Sequence, residues 1–428
     1  MKFENYNISA SLKKSIAENG FKRPTDIQFK SIPPILKGED VLAIAQTGTG
    51  KTAAFAIPVM ESLLRNKPKG KSKRVIRSVV MAPTRELAEQ ITEVFTSIGK
   101  YTKLNILCIY GGVEQDNQIK KLEEGVDILI ATPGRLFDLN HQGYIKLDRV
   151  EVLVLDEADH MLEKGFIKDI KDVIRLLPKK RQTLFFSATI DEAIKKLAYS
   201  LVRNAIRIQI SPKDPVSKNV NHGVVSVEMD DKRFFLERIV KEHPEDKILV
   251  FVRTQVRAER VHKAMARVDI KTVTIHGGKD QKERFEALKL YKSGEVKVLI
   301  ATDVSARGID IPGVQYVINY DLPDDPENYV HRVGRTGRGT QKGDAIAFCA
   351  EKEKELLDAI ENFTGTKIAV YEMDRGEYAG IVGHSEETST DWKTVMREIE
   401  TDQKNYKEAK KKANRKKEKK KKVKSSKK

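Results

Sequence analysis

Short apolar runs recur along the first half of the chain, each giving way to a turn and then to a stretch of helical period. Runs at 41–45, 78–82, 104–110, 127–131, 150–155 and 184–186 read as strands. Near the start, Ser9 caps a predicted helix with Leu12 and Ile16 on one face and Gly20 as its stop. Residues 211–221 interrupt the pattern with two prolines among polar neighbours, as a connector does. The alternation then resumes, with strands at 248–252, 272–275 and 297–301 and helices opening at Gln255 and Asp280. Strands alternating with helices predict an α/β fold, in which parallel sheets carry helices on both faces.

An internal echo divides the chain. Leu129-Ile130-Ala131-Thr132 returns 170 residues on as Leu299-Ile300-Ala301-Thr302, and Tyr110-Gly111-Gly112 returns 166 residues on as His276-Gly277-Gly278. Nearly equal offsets at strand ends predict two copies of one fold, 1–210 and 222–370, joined by 211–221. Beyond them, 371–403 reads as an extension with a helix carrying Trp392, Val395 and Ile399, and 404–428 as a disordered lysine-rich tail.

The length of 428 residues suits two or three domains. Charge is lopsided: 15 of the 79 Lys/Arg but only 2 of the 62 Asp/Glu fall in 404–428, so the tail carries +13 of the net +17. Such a run attracts phosphate backbone without choosing sequence. Cys108 and Cys349 each sit in an apolar run, which fits buried thiols and a reducing compartment. The start lacks a signal-peptide core, and no apolar stretch is long enough to span a membrane. A soluble, cytoplasmic monomer with no membrane partner is the expectation.

The stretch Ala45-Gln46-Thr47-Gly48-Thr49-Gly50-Lys51-Thr52 lies between a strand and a helix. Gly48 and Gly50 let backbone N–H groups curl around phosphate, Lys51 reaches the outer oxygens, and Thr52 offers a hydroxyl to Mg²⁺. This is a P-loop, with Ala45 where the strict pattern has glycine, and it predicts a bound nucleoside triphosphate. Thr25-Asp26-Ile27-Gln28 has the form of a capping box, in which Gln28 returns a bond to Thr25. With the P-loop 17 positions beyond it, Gln28 reads instead as an amide aimed at adenine N6 and N7. Asp156-Glu157-Ala158-Asp159 ends a strand where Mg²⁺ is commonly held, and Glu157 is suited to orient or deprotonate water. Turns at Pro83-Thr84-Arg85-Glu86-Leu87, Gly111-Gly112, Thr132-Pro133-Gly134-Arg135 and Ser187-Ala188-Thr189 also fall at strand ends, where such sheets keep ligands. The second copy has no P-loop but offers Arg332, Arg335 and Arg338, spaced every third residue among glycines. Arginines there supply the charge that phosphoryl transfer demands, provided the two copies close on each other.

Phe21 with Pro24-Thr25-Asp26-Ile27-Gln28, the P-loop, and the stretches 83–87, 132–135, 156–159, 187–189, 301–310 and 331–338 together resemble the DEAD-box ATP-dependent RNA helicases. The resemblance covers residues 3–365 in the family's order, and the short lead and basic tail look most like the bacterial RhlE-type subgroup. It implies two tandem RecA-like domains, with ATP and Mg²⁺ in the cleft and single-stranded RNA across both. It implies that Phe21, Thr25 and Gln28 face the adenine, and that Thr47, Gly48, Thr49, Gly50, Lys51 and Thr52 hold phosphate. Thr52 and Asp156 would hold Mg²⁺, Glu157 would position the water, and Gly308 and Asp310 would approach the nucleotide from the second lobe. Arg335 and Arg338 would be the fingers, with Ser187, Thr189 and His331 coupling hydrolysis to unwinding. The implied RNA side comprises Pro83, Thr84, Arg85, Gly112, Thr132 and Arg135 on the first lobe. On the second it comprises Arg253, Gly277, Arg284, Thr302 and Asp303. Asp26 departs from the family, which often has Pro there, and Arg253 falls in a variable motif.

The implied mechanism is local strand separation: RNA and ATP jointly close the lobes, one strand is bent, and hydrolysis reopens the clamp. Ribosomal particles or RNA-decay proteins are the expected partners beyond single-stranded and duplex RNA. The same motifs would equally serve an ATP-gated RNA clamp used as an assembly platform. A DNA translocase is disfavoured by the Gln28 element and the Asp-Glu-Ala-Asp tetrad.

Overall fold

The computed structural model describes residues 2–46, 48–66, 74–189, 192–210, 219–303, 311, 313–337 and 341–383. Its strands form two seven-stranded sheets in which every pairing is parallel. The first contains β1 (Val41–Ala45), β2 (Ser78–Met81), β3 (Ile106–Ile109), β4 (Ile128–Ala131), β5 (Val152–Leu155), β6 (Gln182–Ser187) and β7 (Ile206–Ile210). The second contains β8 (Val220–Ser226), β9 (Ile248–Phe251), β10 (Thr272–Ile275), β11 (Val298–Ala301), β12 (Tyr316–Asn319), β13 (Gly343–Cys349) and β14 (Ala369–Tyr371). The orders are β3-β4-β2-β5-β6-β1-β7 and β10-β11-β9-β12-β13-β8-β14. Counted from its own first strand, each lobe has the same order. The echo in the sequence is thereby explained: its two repeats end equivalent strands, β4 with β11 and β3 with β10.

The strands read as nearly continuous apolar runs because both faces of each sheet are covered. In the first lobe Val80, Ile130, Val154 and Phe186 point into one core, whereas Val79, Leu129, Leu153 and Phe185 point into the other. The second lobe repeats this, with Leu249, Leu299 and Val317 on one side and Val250, Ile300 and Ile318 on the other. Helix Ala10–Glu18 buries Leu12 and Ile16, and Gly20 follows it at φ +75°. Cys108 lies on β3 and Cys349 ends β13, and burial pushes the Cys108 thiol up to about 12.

Two boundaries shift. Val220 and Asn221, expected in the connector, open β8: Val220 is buried and paired with Gly343. Its polar neighbours Asn221 and His222 disguised that strand. Tyr371 likewise belongs to the second sheet, paired with Val225, and not to the extension. Helix Arg375–Gly383 follows and buries Ile381 against the second lobe. The helix expected around Trp392 and the tail 404–428 lie outside the described residues. Among the described residues no helix is long and apolar enough to cross a membrane.

Candidate active site

β1 delivers the chain into the P-loop, where Gly48 at φ +80° and Gly50 at φ +91° adopt the left-handed backbone that glycine tolerates. Thr49 Oγ1 donates to the Gln46 carbonyl at 2.8 Å, so this hydroxyl closes the loop on itself. Helix Lys51–Arg65 begins directly after Gly50, leaving its first N–H groups facing the loop. Phe55 seats that helix on the sheet, its ring 5.1 Å from Phe186 and 6.0 Å from Phe95. Lys51 is buried, and its Nζ has no hydrogen-bond partner among the described residues. A buried ammonium of this kind is costly until an anion meets it. Thr52 lines the same cleft, and Thr47 lies outside the described residues.

Gln28 does both of the jobs that compete for it in the sequence. Its Oε1 accepts from the Thr25 N–H at 2.9 Å, as a capping box requires, and its Nε2 donates to the Gly50 carbonyl at 3.1 Å. One N–H and one lone pair remain on the amide, the complement of adenine N7 and N6. A Cβ at Gly50 would stand 2.5 Å from Gln28 Nε2, so the contact needs glycine there. Phe21 lies edge-on to Phe3, with centroids 6.0 Å apart, at the same end of the cleft.

β5 leads into two adjacent buried carboxyls whose pKa values are shifted in opposite directions. Burial pushes Asp156 up to about 7, outweighing the pull of Lys51. Burial also pushes on Glu157, but His160, 3.7 Å away, together with Lys51 and Arg335 holds it down at about 2. Glu157 stands at φ +51°, a left-handed backbone uncommon for a side-chain-bearing residue and a local store of strain. Asp159 Oδ2 accepts from the N–H groups of Ala188 (2.8 Å) and Thr189 (3.0 Å), tying the end of β5 to the end of β6. The Ser187 hydroxyl is fully buried without a partner among the described residues.

The raised value at Asp156 has a stability signature. Its folded state holds a proton that the unfolded chain releases above about 3.8, so its contribution falls as pH rises from about 3.8 to about 7 and is flat beyond. Asp156→Asn should remove that slope and raise Tm at pH 8 without nucleotide, as a pH series of thermal melts would show.

The second lobe sorts its arginines by depth. Arg332, on helix Pro326–Val333, is buried in a two-pronged pair with Asp303 (2.5 and 2.7 Å) and donates to Asn319 Oδ1 and the Asp321 carbonyl. Arg335, just past the helix, lines the cleft opposite Lys51 and Glu157. Thr336 Oγ1 anchors this turn on the carbonyls of Val314 (2.6 Å) and Gln315 (2.9 Å). Gly337, at φ +63°, fits against β8 where a Cβ would meet Val220 at 2.4 Å. Of the arginines spaced by three, Arg332 thus makes an internal ion pair and Arg335 lines the cleft. Arg332→Ala leaves Asp303 uncompensated and should cost about 3–5 kcal/mol of second-lobe stability, measurable by urea unfolding. Arg338, Gly308 and Asp310 lie outside the described residues.

The cleft between the lobes has a volume of about 600 Å³ and is lined by Phe21, Gln28, Gly48, Gly50, Lys51, Thr52, Asp156, Glu157 and Arg335. No group of three or more metal-ligating side chains converges among the described residues. A site with so few protein ligands would suit a Mg²⁺ ion carried largely by substrate phosphates, with the carboxylate of Asp156 and the hydroxyl of Thr52 as the candidate protein partners.

The residues expected along the RNA side line the carboxyl ends of the strands but are engaged within the protein. Thr84 caps its helix by accepting from Leu87 N–H at 3.2 Å. Arg85 lies over Gly112, where a Cβ would stand 2.3 Å from its guanidinium, and donates across the lobes to Gln281 Oε1 at 3.0 Å. Gln281 Nε2 donates to Glu86 Oε1 (2.7 Å), which also meets Arg284 at 3.1 Å. Arg135 donates to the Val113 carbonyl at 3.0 Å, following Thr132 and Pro133 at the end of β4. Thr302 is buried beyond β11, and Gly277 packs against Gln255. Arg253 stands apart, held by Glu353 (3.0 Å), Asp324 (3.3 Å) and the Leu322 carbonyl. His331 precedes Arg332 on its helix.

Sequence reasoning gave no separate site role to Asp159, His160, Glu86 or Gln281, and it grouped Arg332 with the arginines that meet phosphate, whereas Arg332 is committed to its pair with Asp303. Gln281 hid inside Asp280-Gln281-Lys282-Glu283, a capping box at the start of its helix. Glu86 lies in the first turn of helix Arg85–Ile98, where an acidic residue is ordinary.

The DEAD/DEAH box helicase family model matches residues 25–197, and the helicase conserved C-terminal domain model matches 231–340. ATP-dependent RNA helicase RhlB of Shewanella oneidensis is 39% identical over 377 residues, covering 87% of this chain and 86% of that protein. DEAD-box ATP-dependent RNA helicase CshA of Bacillus subtilis is 40% identical over 366 residues, 86% of this chain and 73% of its own. The structure of S. cerevisiae Dbp5 bound to RNA and ADP BeF3 aligns with a TM-score of 0.78 at 32% identity, over 89% of this chain and 98% of that one. With a P-loop lobe and an arginine lobe joined over one cleft, and with these relatives along most of its length, this chain belongs to the DEAD-box RNA helicases.

Proposed function

We propose that closure of the two lobes on single-stranded RNA assembles the ATP site, and that this closure opens short duplexes locally. The chain is an ATP-dependent RNA helicase of two tandem RecA-like lobes, and its enzymatic step is RNA-stimulated ATP hydrolysis. The observation that carries the mechanism is Arg335: a second-lobe side chain lines the cleft that holds Lys51 and lowers the pKa of Glu157.

Each residue's part follows from its surroundings. Gln28 reads the adenine edge while bonded to Gly50, so base recognition and P-loop shape are linked. Lys51 meets the outer phosphates, and Arg335 faces charge that grows as the γ-phosphoryl departs. Mg²⁺, held through Asp156 and Thr52, would neutralise phosphate oxygens. Glu157, ionised far below neutrality, is a weak base and acts mainly by orienting the attacking water. Asp159 then passes the state of that strand end to Ala188 and Thr189, the residues that follow Ser187. RNA is held at the strand ends through phosphate and 2′-hydroxyl, which explains indifference to base sequence. A cytoplasmic location, monomeric state, targets in ribosome assembly or RNA decay, and an RhlE-like subgroup complete the reading.

Strand displacement on a short RNA duplex, with ATP against a non-hydrolysable analogue, tests it. Unwinding with ATP supports the helicase, and stable RNA retention without displacement would favour the clamp. Deleting 404–428 should weaken RNA affinity and flatten its salt dependence while sparing ATP affinity. An unchanged salt slope would reduce the tail to a solubilising appendage.

A further inference from the structure

The first lobe has a second polar cavity at the opposite end of its sheet. It has a volume of about 90 Å³ and is lined by Asp40, Lys179, Arg181, Thr183 and Arg203 among others. Asp40 immediately precedes β1, whose far end enters the P-loop, so five residues, roughly 16 Å of strand, separate this cavity from the ATP cleft. The volume is that of about three water molecules, enough for one tetrahedral oxyanion.

Its charge is unbalanced. The Asp40 carboxylate is already committed, accepting from the N–H groups of Thr183 and Arg203, each at 2.7 Å. Against this one carboxylate stand the side chains of Lys179, Arg181 and Arg203. Arg181 Nη1 donates to the Pro178 carbonyl at 2.8 Å, but its Nε is buried without a partner among the described residues. Burial lowers the Arg181 pKa, Asp40 raises it in part, and the neighbouring charge of Arg203 lowers it again. Two guanidiniums that repel each other around a polar cavity are stabilised by an anion held between them.

We infer that this cavity is an accessory phosphate site, taking a backbone phosphate of RNA that extends beyond the catalytic cleft. The inference rests on RNA being the substrate. A second anchor outside the cleft keeps a flanking strand tethered while the lobes cycle, raising the effective concentration of duplex at the site.

The test compares full-length protein with Lys179→Glu/Arg203→Glu and with the milder Lys179→Gln/Arg203→Gln, both changes lying at exposed positions. Labelled single-stranded RNAs of roughly 8 and roughly 30 nucleotides are titrated by fluorescence anisotropy at several salt concentrations. Both variants should bind the long RNA several-fold more weakly, with a salt slope lower by about 0.7 for each phosphate lost. Short-RNA affinity and ATPase stimulation by short RNA should be unchanged. Equal long-RNA binding by wild type and both variants would overturn the inference. So would orthophosphate raising the Tm of wild type alone while long RNA ignores the substitutions, which makes free phosphate the occupant. Failure of the wild type to bind even the short RNA would strike the helicase reading itself, a separate result.

Discussion

Arg335→Ala lowers RNA-stimulated ATP hydrolysis by about 10³–10⁵-fold while nucleotide affinity changes little. The charge it meets develops mainly as the γ-phosphoryl group departs, so the loss falls on turnover and not on binding. Arg335→Lys should rescue poorly, because one compact ammonium cannot reproduce the planar fork. Phosphate-release kinetics at saturating RNA, beside equilibrium binding of a nucleotide analogue, check both statements. The fold tolerates the change: Thr336 anchors the turn through its own hydroxyl, and the internal ion pair belongs to Arg332. A variant that hydrolyses ATP normally would remove the second lobe from the chemistry.

Glu157→Gln leaves ATP and RNA binding intact and slows hydrolysis by roughly 10²-fold or more. The amide keeps the size of the carboxylate but loses the negative charge that orients water, and His160 and Arg335 lose their partner. Binding survives because Lys51, Gln28 and the P-loop backbone do not depend on that charge. The expected species is a long-lived complex of ATP, RNA and closed lobes, visible as slow RNA dissociation in ATP and fast dissociation in ADP. Normal turnover would transfer the water-orienting task to another group.

Much of the architecture was legible because it is written in local pattern. β1 was delimited to the residue because a strand buried on both faces shows as an unbroken apolar run, and β10 because its four residues are all β-branched. The edge strands β7 and β14 escaped notice because much of their surface faces outward, breaking the pattern that marks the interior strands. β8 was hidden by the polar residues at 221 and 222. At the site, strand-end motifs identified the cleft, since a parallel sheet gathers such ends at one edge. Residues whose meaning is tertiary were beyond reach. Glu86 and Gln281 look like ordinary helix-start residues until two lobes meet, and Arg332 differs from Arg335 only in the direction the backbone gives it. Gln28 was legible but under-described, for its two amide ends serve two partners at once.

The matching strand order has one more consequence. Arg85 and Arg253 follow equivalent strands, as do Gly112 and Gly277, and Thr132 and Thr302. A duplicated edge offers related chemistry twice, which suits a polymer whose repeating unit is a phosphate. On the proposed RNA path, rotating one half against the other would put the two sets of contacts out of phase, and the strand between them would have to bend.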